Sequence, residues 1–203
     1  MNKYLMEFIG TFFLVLVIAL TGNPLAIGAV ITGLVYMGGY ISGANYNPAV
    51  TLALLILKKI DSETALRYMA AQFFGGFAGA IVSFIITNQY FVPQKSADIS
   101  TLPALIVEIL FTFLLVSVVL HVAVSSKTKN NDYYGLAIGL TVIAIAFAGG
   151  PISGGVFNPA VGLGPILFDF ASISGNMENL LLYLIGPFTG GALAALLYLK
   201  SKS

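Results

Sequence analysis

Ile41-Ser42-Gly43-Ala44-Asn45-Tyr46-Asn47-Pro48-Ala49-Val50 returns in the second half of the chain as Ile152-Ser153-Gly154-Gly155-Val156-Phe157-Asn158-Pro159-Ala160-Val161. In each copy, Asn followed by Pro reads as a helix start. The Asn oxygen caps the first free N–H groups, and Pro takes the first helical position, where its missing N–H costs nothing. Capping through oxygen leaves the side-chain NH2 of Asn47 and of Asn158 free to point elsewhere. The apolar runs behind the motifs, 48–57 and 159–168, predict helices of about ten residues. That length covers about 15 Å, half of the ~30 Å hydrocarbon core of a bilayer.

The rest of the chain is built for a membrane. Of 203 residues, 58% are hydrophobic and 8% charged, where a soluble domain carries about 25% charged residues. Apolar runs predict six spans, at 3–22, 24–42, 65–88, 103–124, 134–150 and 178–199, in a single transmembrane domain over residues 1–203. The first run begins directly after Met1-Asn2-Lys3 without a small-x-small cleavage site, so it reads as a retained span. A net charge of +1 gives no bulk attraction to nucleic acid. Cysteine is absent and His121 is the one histidine. Disulfides, thiol chemistry and a His-built metal site therefore lack their residues, and no cofactor or metal is expected.

Basic residues set the orientation. With six spans, Lys3, Lys58, Lys59, Arg67, Lys127, Lys129, Lys200 and Lys202 share one side and Lys95 lies on the other, which places both termini in the cytoplasm. The repeat extends beyond the motifs into halves at about 1–100 and 101–203. Met6-Glu7-Phe8-Ile9-Gly10-Thr11-Phe12 in the first span matches Val107-Glu108-Ile109-Leu110-Phe111-Thr112-Phe113 in the fourth, and Gln72-Phe73-Phe74-Gly75-Gly76 is echoed by Pro187-Phe188-Thr189-Gly190-Gly191. Three spans per half invert the second copy relative to the first. The reading is an all-α membrane protein with six transmembrane helices, two re-entrant half-helices and an inverted three-plus-three repeat, which is a transport architecture. The half-helices then meet N-terminus to N-terminus, with two amide donors and two positive dipole ends facing the permeant.

These features resemble the aquaporin, or major intrinsic protein, family: both Asn-Pro-Ala frames, Glu7 and Glu108, the Gln72 region, and Gly186-Pro187-Phe188 with Gly190-Gly191. The resemblance covers nearly the whole chain. It implies one pore per subunit in a homotetramer, with Asn47, Pro48, Ala49, Asn158, Pro159 and Ala160 at its centre. It also implies a selectivity filter, which family spacing places at Ile27, Ala146, Gly155 and Val161, with Phe147 as the alternative to Ala146. Family members commonly carry Arg where Val161 stands; some plant vacuolar members share the Val. Asn45 replaces a frequent His, and Gly162 replaces the Asp of typical glycerol facilitators. Tyr183-Leu184 ahead of Gly186 fits neither the strict-water nor the glycerol pattern.

The expected function is a passive channel in a plasma or inner membrane for water and small uncharged solutes, with no enzymatic step. The alternatives are a facilitator for glycerol, urea, ammonia or hydrogen peroxide, a proton-coupled transporter using Glu7 and Glu108, and a junctional membrane protein. Glu7 and Glu108 either relay protons or accept N–H groups from the loop ahead of each half-helix. The second reading is preferred, because buried charge needs partners. His121 reads as interfacial rather than as a pH gate. Tyr36, Tyr40 and Tyr46 are open between pore lining and packing. The paired glycines read as close helix contacts, and Lys58-Lys59 as an orientation signal rather than an anionic-lipid site.

Overall fold

In a computed structural model, which describes residues 2–201, eight α-helices form among the described residues. They are α1 (Lys3–Thr21), α2 (Pro24–Ser42), α3 (Pro48–Ile56), α4 (Ser62–Thr87), α5 (Thr101–Val119), α6 (Tyr134–Ser153), α7 (Pro159–Phe168) and α8 (Met177–Lys200). Six are long and apolar enough to cross a membrane, with α5 continuing through a π-helical turn at Leu120–Val124. The short α3 and α7 complete the chain.

Local chemistry explains where the helices begin and end. Asn2, Asn23 and Asp61 cap α1, α2 and α4 through their side chains. Asp61 Oδ1 accepts the Thr64 N–H at 2.7 Å, which starts α4 at Ser62, earlier than the span predicted at 65–88. Helix α6 outruns the predicted 134–150, running through Pro151 in its last turn to where the left-handed Gly154 (φ 88°) closes it. Pro103 lies in the first turn of α5, where a missing N–H is harmless, so that helix begins at Thr101.

The halves pack in the same way. Helix α1 lies on α4 as α5 lies on α8, α1 meets α2 as α5 meets α6, and α2 crosses α6 at the junction. The half-helices are exchanged: α3 rests on α8, and α7 rests on α4. Gly75 and Gly190 allow the tightest approaches to a neighbouring backbone, since a Cβ on either would lie 2.4 Å from the carbonyl oxygen of Phe8 or Ile109 respectively. Exposed Leu66, Phe74, Ile85 and Leu110 project outward on the spans, as a surface that meets lipid requires. The fold is therefore an all-α multi-pass membrane protein of six spans and two half-helices in an inverted repeat.

Lys3 Nζ donates to Thr64 Oγ1 at 3.3 Å, joining the start of α1 to the start of α4 on one side of the bundle. Lys58 and Lys59 are exposed between α3 and α4 on that side, while Lys95 lies on the connection from α4 to α5. Lys202 lies outside the described residues. His121 is exposed in the π-helical turn, its Nδ1 2.7 Å from the Ser117 carbonyl and its ring edge-on to Tyr198.

Candidate functional site

Each repeated frame bends back on itself ahead of its half-helix. Gly43 and Gly154 take left-handed conformations (φ 87° and 88°), and Tyr46 and Phe157, directly ahead of the two Asn residues, sit at φ 50° and 48°. A bulky side chain at positive φ is costly and needs surrounding structure to hold it. Here the holding group is a fully buried carboxylate. Glu7 Oε1 accepts the Ser42 hydroxyl at 2.6 Å and the Asn45 N–H at 3.0 Å, and its Oε2 accepts the Tyr46 N–H at 2.7 Å and Gln72 Nε2 at 2.8 Å. Glu108 Oε1 accepts the Ser153 hydroxyl at 2.7 Å and the Val156 N–H at 3.0 Å, and its Oε2 accepts the Phe157 N–H at 2.8 Å. Donors to an ionised carboxylate are the strong class of hydrogen bond.

The two motifs are tied to each other. Asn47 Oδ1 accepts the Ala49 N–H at 2.8 Å, while its Nδ2 donates to the Phe157 carbonyl at 2.9 Å. Asn158 reciprocates, accepting the Ala160 N–H at 3.0 Å and donating to the Tyr46 carbonyl at 2.9 Å. A side-chain amide has two N–H groups, so one on each Asn is spent on the opposite loop and one remains. The NH2 read as free in the sequence is thus only half free. Helix α3 also contacts α7, so their positive N-terminal ends share one region. Spans of the opposite halves back the motifs: a Cβ on Gly76 would lie 2.5 Å from the Ala160 carbonyl oxygen, and one on Gly191 2.7 Å from that of Ala49.

Both Asn residues open onto one cavity of about 430 Å³, and Ile27, Ala146, Gly155 and Val161 line the same cavity. Val161 is the third residue of α7 and contributes only methyl groups. Phe147 is 54% exposed and outside the lining, whereas Ala146 borders the cavity. Among the described residues lining the cavity, none is charged, and neither Glu7 nor Glu108 is among them. No cluster of His, Cys, Asp or Glu among the described residues is placed to hold a metal. Tyr36 and Tyr40 are away from the cavity; the Tyr36 hydroxyl donates to the Asp132 carbonyl at 2.9 Å, and Tyr40 is exposed. Tyr46 touches the cavity, though its ring is buried and its hydroxyl donates to the Leu34 carbonyl at 3.1 Å.

Sequence reasoning missed residues 91–94, which border the cavity from the long connection between α4 and α5. Ser96 N–H donates to the Ile152 carbonyl at 3.1 Å, and Lys95 Nζ lies 3.9 Å from Glu178, so this connection is fastened to α6 and α8. Its unusual length was the available signal, but length does not reveal a fold-back.

The comparisons with known proteins agree with this geometry. The chain is 37% identical over 214 residues to a "Glycerol uptake facilitator protein-like 6" of Lactiplantibacillus plantarum, covering 96% of this chain and 95% of that protein. It is 32% identical to a "Probable aquaporin NIP4-2" of Arabidopsis thaliana, covering 93% of this chain and 70% of the relative. Among solved structures, the aquaglyceroporin from Plasmodium falciparum superposes with a TM-score of 0.83 at 23% identity, covering 97% of this chain and 94% of that one. The model of the major intrinsic protein family matches residues 1–198, and with two half-helices whose capping Asn amides donate to each other's loops and open on one uncharged cavity, the chain belongs to that family.

Proposed function

We propose that the protein is a passive channel for water and small uncharged solutes, with Asn47 and Asn158 orienting the permeant and Ile27, Ala146, Gly155 and Val161 forming its selectivity filter. The observation that carries this reading is the shared cavity, which collects both Asn amides and the four uncharged side chains into one lining. The remaining N–H of each amide suits a solute oxygen, and the two helix N-termini disfavour cations. Val161, standing where an Arg is common, lowers both the polarity and the crowding of the filter, which supports solutes larger than water. The single domain acts as one pore within a homotetramer. It lies in a plasma or inner membrane with both termini in the cytoplasm, as the concentration of Lys and Arg on one side supports.

A facilitator in which glycerol, urea, ammonia or hydrogen peroxide is the main permeant and water is secondary is the second reading. The glycerol-facilitator-like relative that matches this chain over nearly its full length favours it. A proton-coupled transporter is disfavoured, because both carboxylates are spent on loop donors and lie outside the cavity lining. Purified protein in liposomes tests the channel reading with water, glycerol, urea, ammonia and proton leak measured side by side. Flux that follows the solute gradient and ignores an imposed proton gradient is expected; accumulation coupled to protons overturns it.

A further inference from the structure

We propose that Asn45 is a further specificity-determining residue: its Oδ1 is a fixed hydrogen-bond acceptor on the cavity wall, one that serves the N–H or O–H donors of neutral solutes. The inference rests on the channel reading above and adds to it a polar contact outside the motifs and the filter. Asn45 borders the cavity and is otherwise buried, at 8% exposure.

Its orientation follows from a chain of hydrogen bonds that begins at Glu7. The carboxylate can only accept, so Gln72 must turn its NH2 toward Glu7 Oε2, at 2.8 Å. The same NH2 donates to Thr51 Oγ1 at 2.9 Å. Thr51 has one hydroxyl hydrogen, and the carbonyl of Asn47 lies 3.2 Å away to receive it. The Thr51 oxygen therefore keeps an acceptor site, which takes Asn45 Nδ2 at 3.1 Å. With its NH2 held by Thr51, Asn45 presents Oδ1 away from that contact. That oxygen makes no hydrogen bond among the described residues and is not one of the sealed, unpartnered buried atoms; since Asn45 is one of the residues that border the cavity, we assign the oxygen to the cavity wall.

The second half has no equivalent. By the repeat, Val156 stands for Asn45, Gly162 for Thr51 and Pro187 for Gln72, so this network places a side-chain acceptor in the first half only. An acceptor on the wall matters least to water, since each water in a file can donate to the next one. A urea or glycerol molecule filling the same section has no such neighbour and must find its acceptor on the protein. Losing one net hydrogen bond for such a solute slows it by about two- to tenfold.

The test compares wild type with Asn45→Leu, Asn45→His and Thr51→Val in liposomes, reading urea, glycerol and water permeability per folded channel. Asn45→Leu is expected to lower the urea-to-water and glycerol-to-water ratios by about two- to tenfold. Thr51→Val should do the same by releasing the Asn45 amide. Asn45→His should keep most of the ratio, since a neutral imidazole can donate to Thr51 with one nitrogen and accept with the other. A fall in urea but not glycerol assigns the acceptor to N–H solutes, and the converse assigns it to polyols. Ratios unchanged in Asn45→Leu, or water and solutes falling in proportion in all three variants, overturn the inference. If Asn45→Leu does not fold, the Thr51→Val and Asn45→His ratios decide by the same criterion. A wild-type channel closed to every solute and to water would instead overturn the channel reading itself.

Discussion

Glu108→Gln is the substitution whose consequence can be followed through the structure in the fewest steps. It keeps the size and shape of the side chain and converts one of two acceptor oxygens into an N–H donor. Oε1 holds the Ser153 hydroxyl and the Val156 N–H, and Oε2 holds the Phe157 N–H. A hydroxyl can rotate to accept; a backbone N–H cannot. Either placement of the new NH2 therefore leaves one backbone donor, Val156 or Phe157, buried without a partner. That costs about 1–3 kcal/mol. For a chain of this size each kcal/mol moves the unfolding temperature by about 2–4 °C, so a fall of about 2–12 °C is expected. The effect reaches the pore through Phe157, whose carbonyl holds the Asn47 amide, and water permeability per channel falls with stability. Apparent unfolding temperatures in detergent, taken at one scan rate because such unfolding is often irreversible, and stopped-flow light scattering of proteoliposomes measure the two. An unchanged or raised unfolding temperature would show that the carboxylate does not support the loop. Retained stability with a lost proton-dependent flux would instead make Glu108 a relay.

Two further substitutions test the filter and the backing of the motifs. Val161→Arg introduces a cation on the cavity wall and should reduce glycerol and urea flux more than water flux in the same liposomes; equal losses would place Val161 outside the filter. Gly191→Leu drives a side chain into the Ala49 carbonyl, where even a Cβ would lie at 2.7 Å, and should cost at least about 1–3 kcal/mol in apparent stability. Gly33→Ala is its control, since a Cβ there meets nothing within 4 Å, and it should be neutral or stabilising.

The spans and half-helices were legible because their signals are local. Apolar runs give the crossings, and Asn-Pro gives a helix start wherever it occurs with apolar residues behind it. The starts at 48 and 159 match those of α3 and α7, whereas α4 began ahead of its apolar run because Asp61 extends it with a polar cap. Cavity positions such as Ala146 follow from family spacing counted back from the motifs, and that residue borders the cavity. Residues 91–94 could not be placed this way. Their position depends on Ser96 reaching Ile152 and Lys95 approaching Glu178, which are long-range contacts in a connection with no periodicity of its own.

The two copies also show which chemistry duplication preserves. Glu7 and Glu108 hold the loop N–H groups, Ser42 and Ser153 hydroxyls join them, and the Tyr68 and Tyr183 hydroxyls donate to the Ser42 and Ser153 carbonyls, each at 2.8 Å. Asn47 and Asn158 cap their helices and grip each other's loops. Every one of these matched side chains binds backbone or buttresses a group that does, so either copy would lose its loop conformation without it. The mismatched pairs, Asn45 with Val156, Thr51 with Gly162 and Gln72 with Pro187, lie instead on the path from one carboxylate to the cavity. The side chains that fix the turn ahead of each Asn are largely shared, although Gln72, which also donates to Glu7, has Pro187 as its counterpart. A pore wall need not be shared, because the permeant meets the two halves in succession. The scaffold is therefore read where the halves agree, and the cavity contact proposed for Asn45 where they differ.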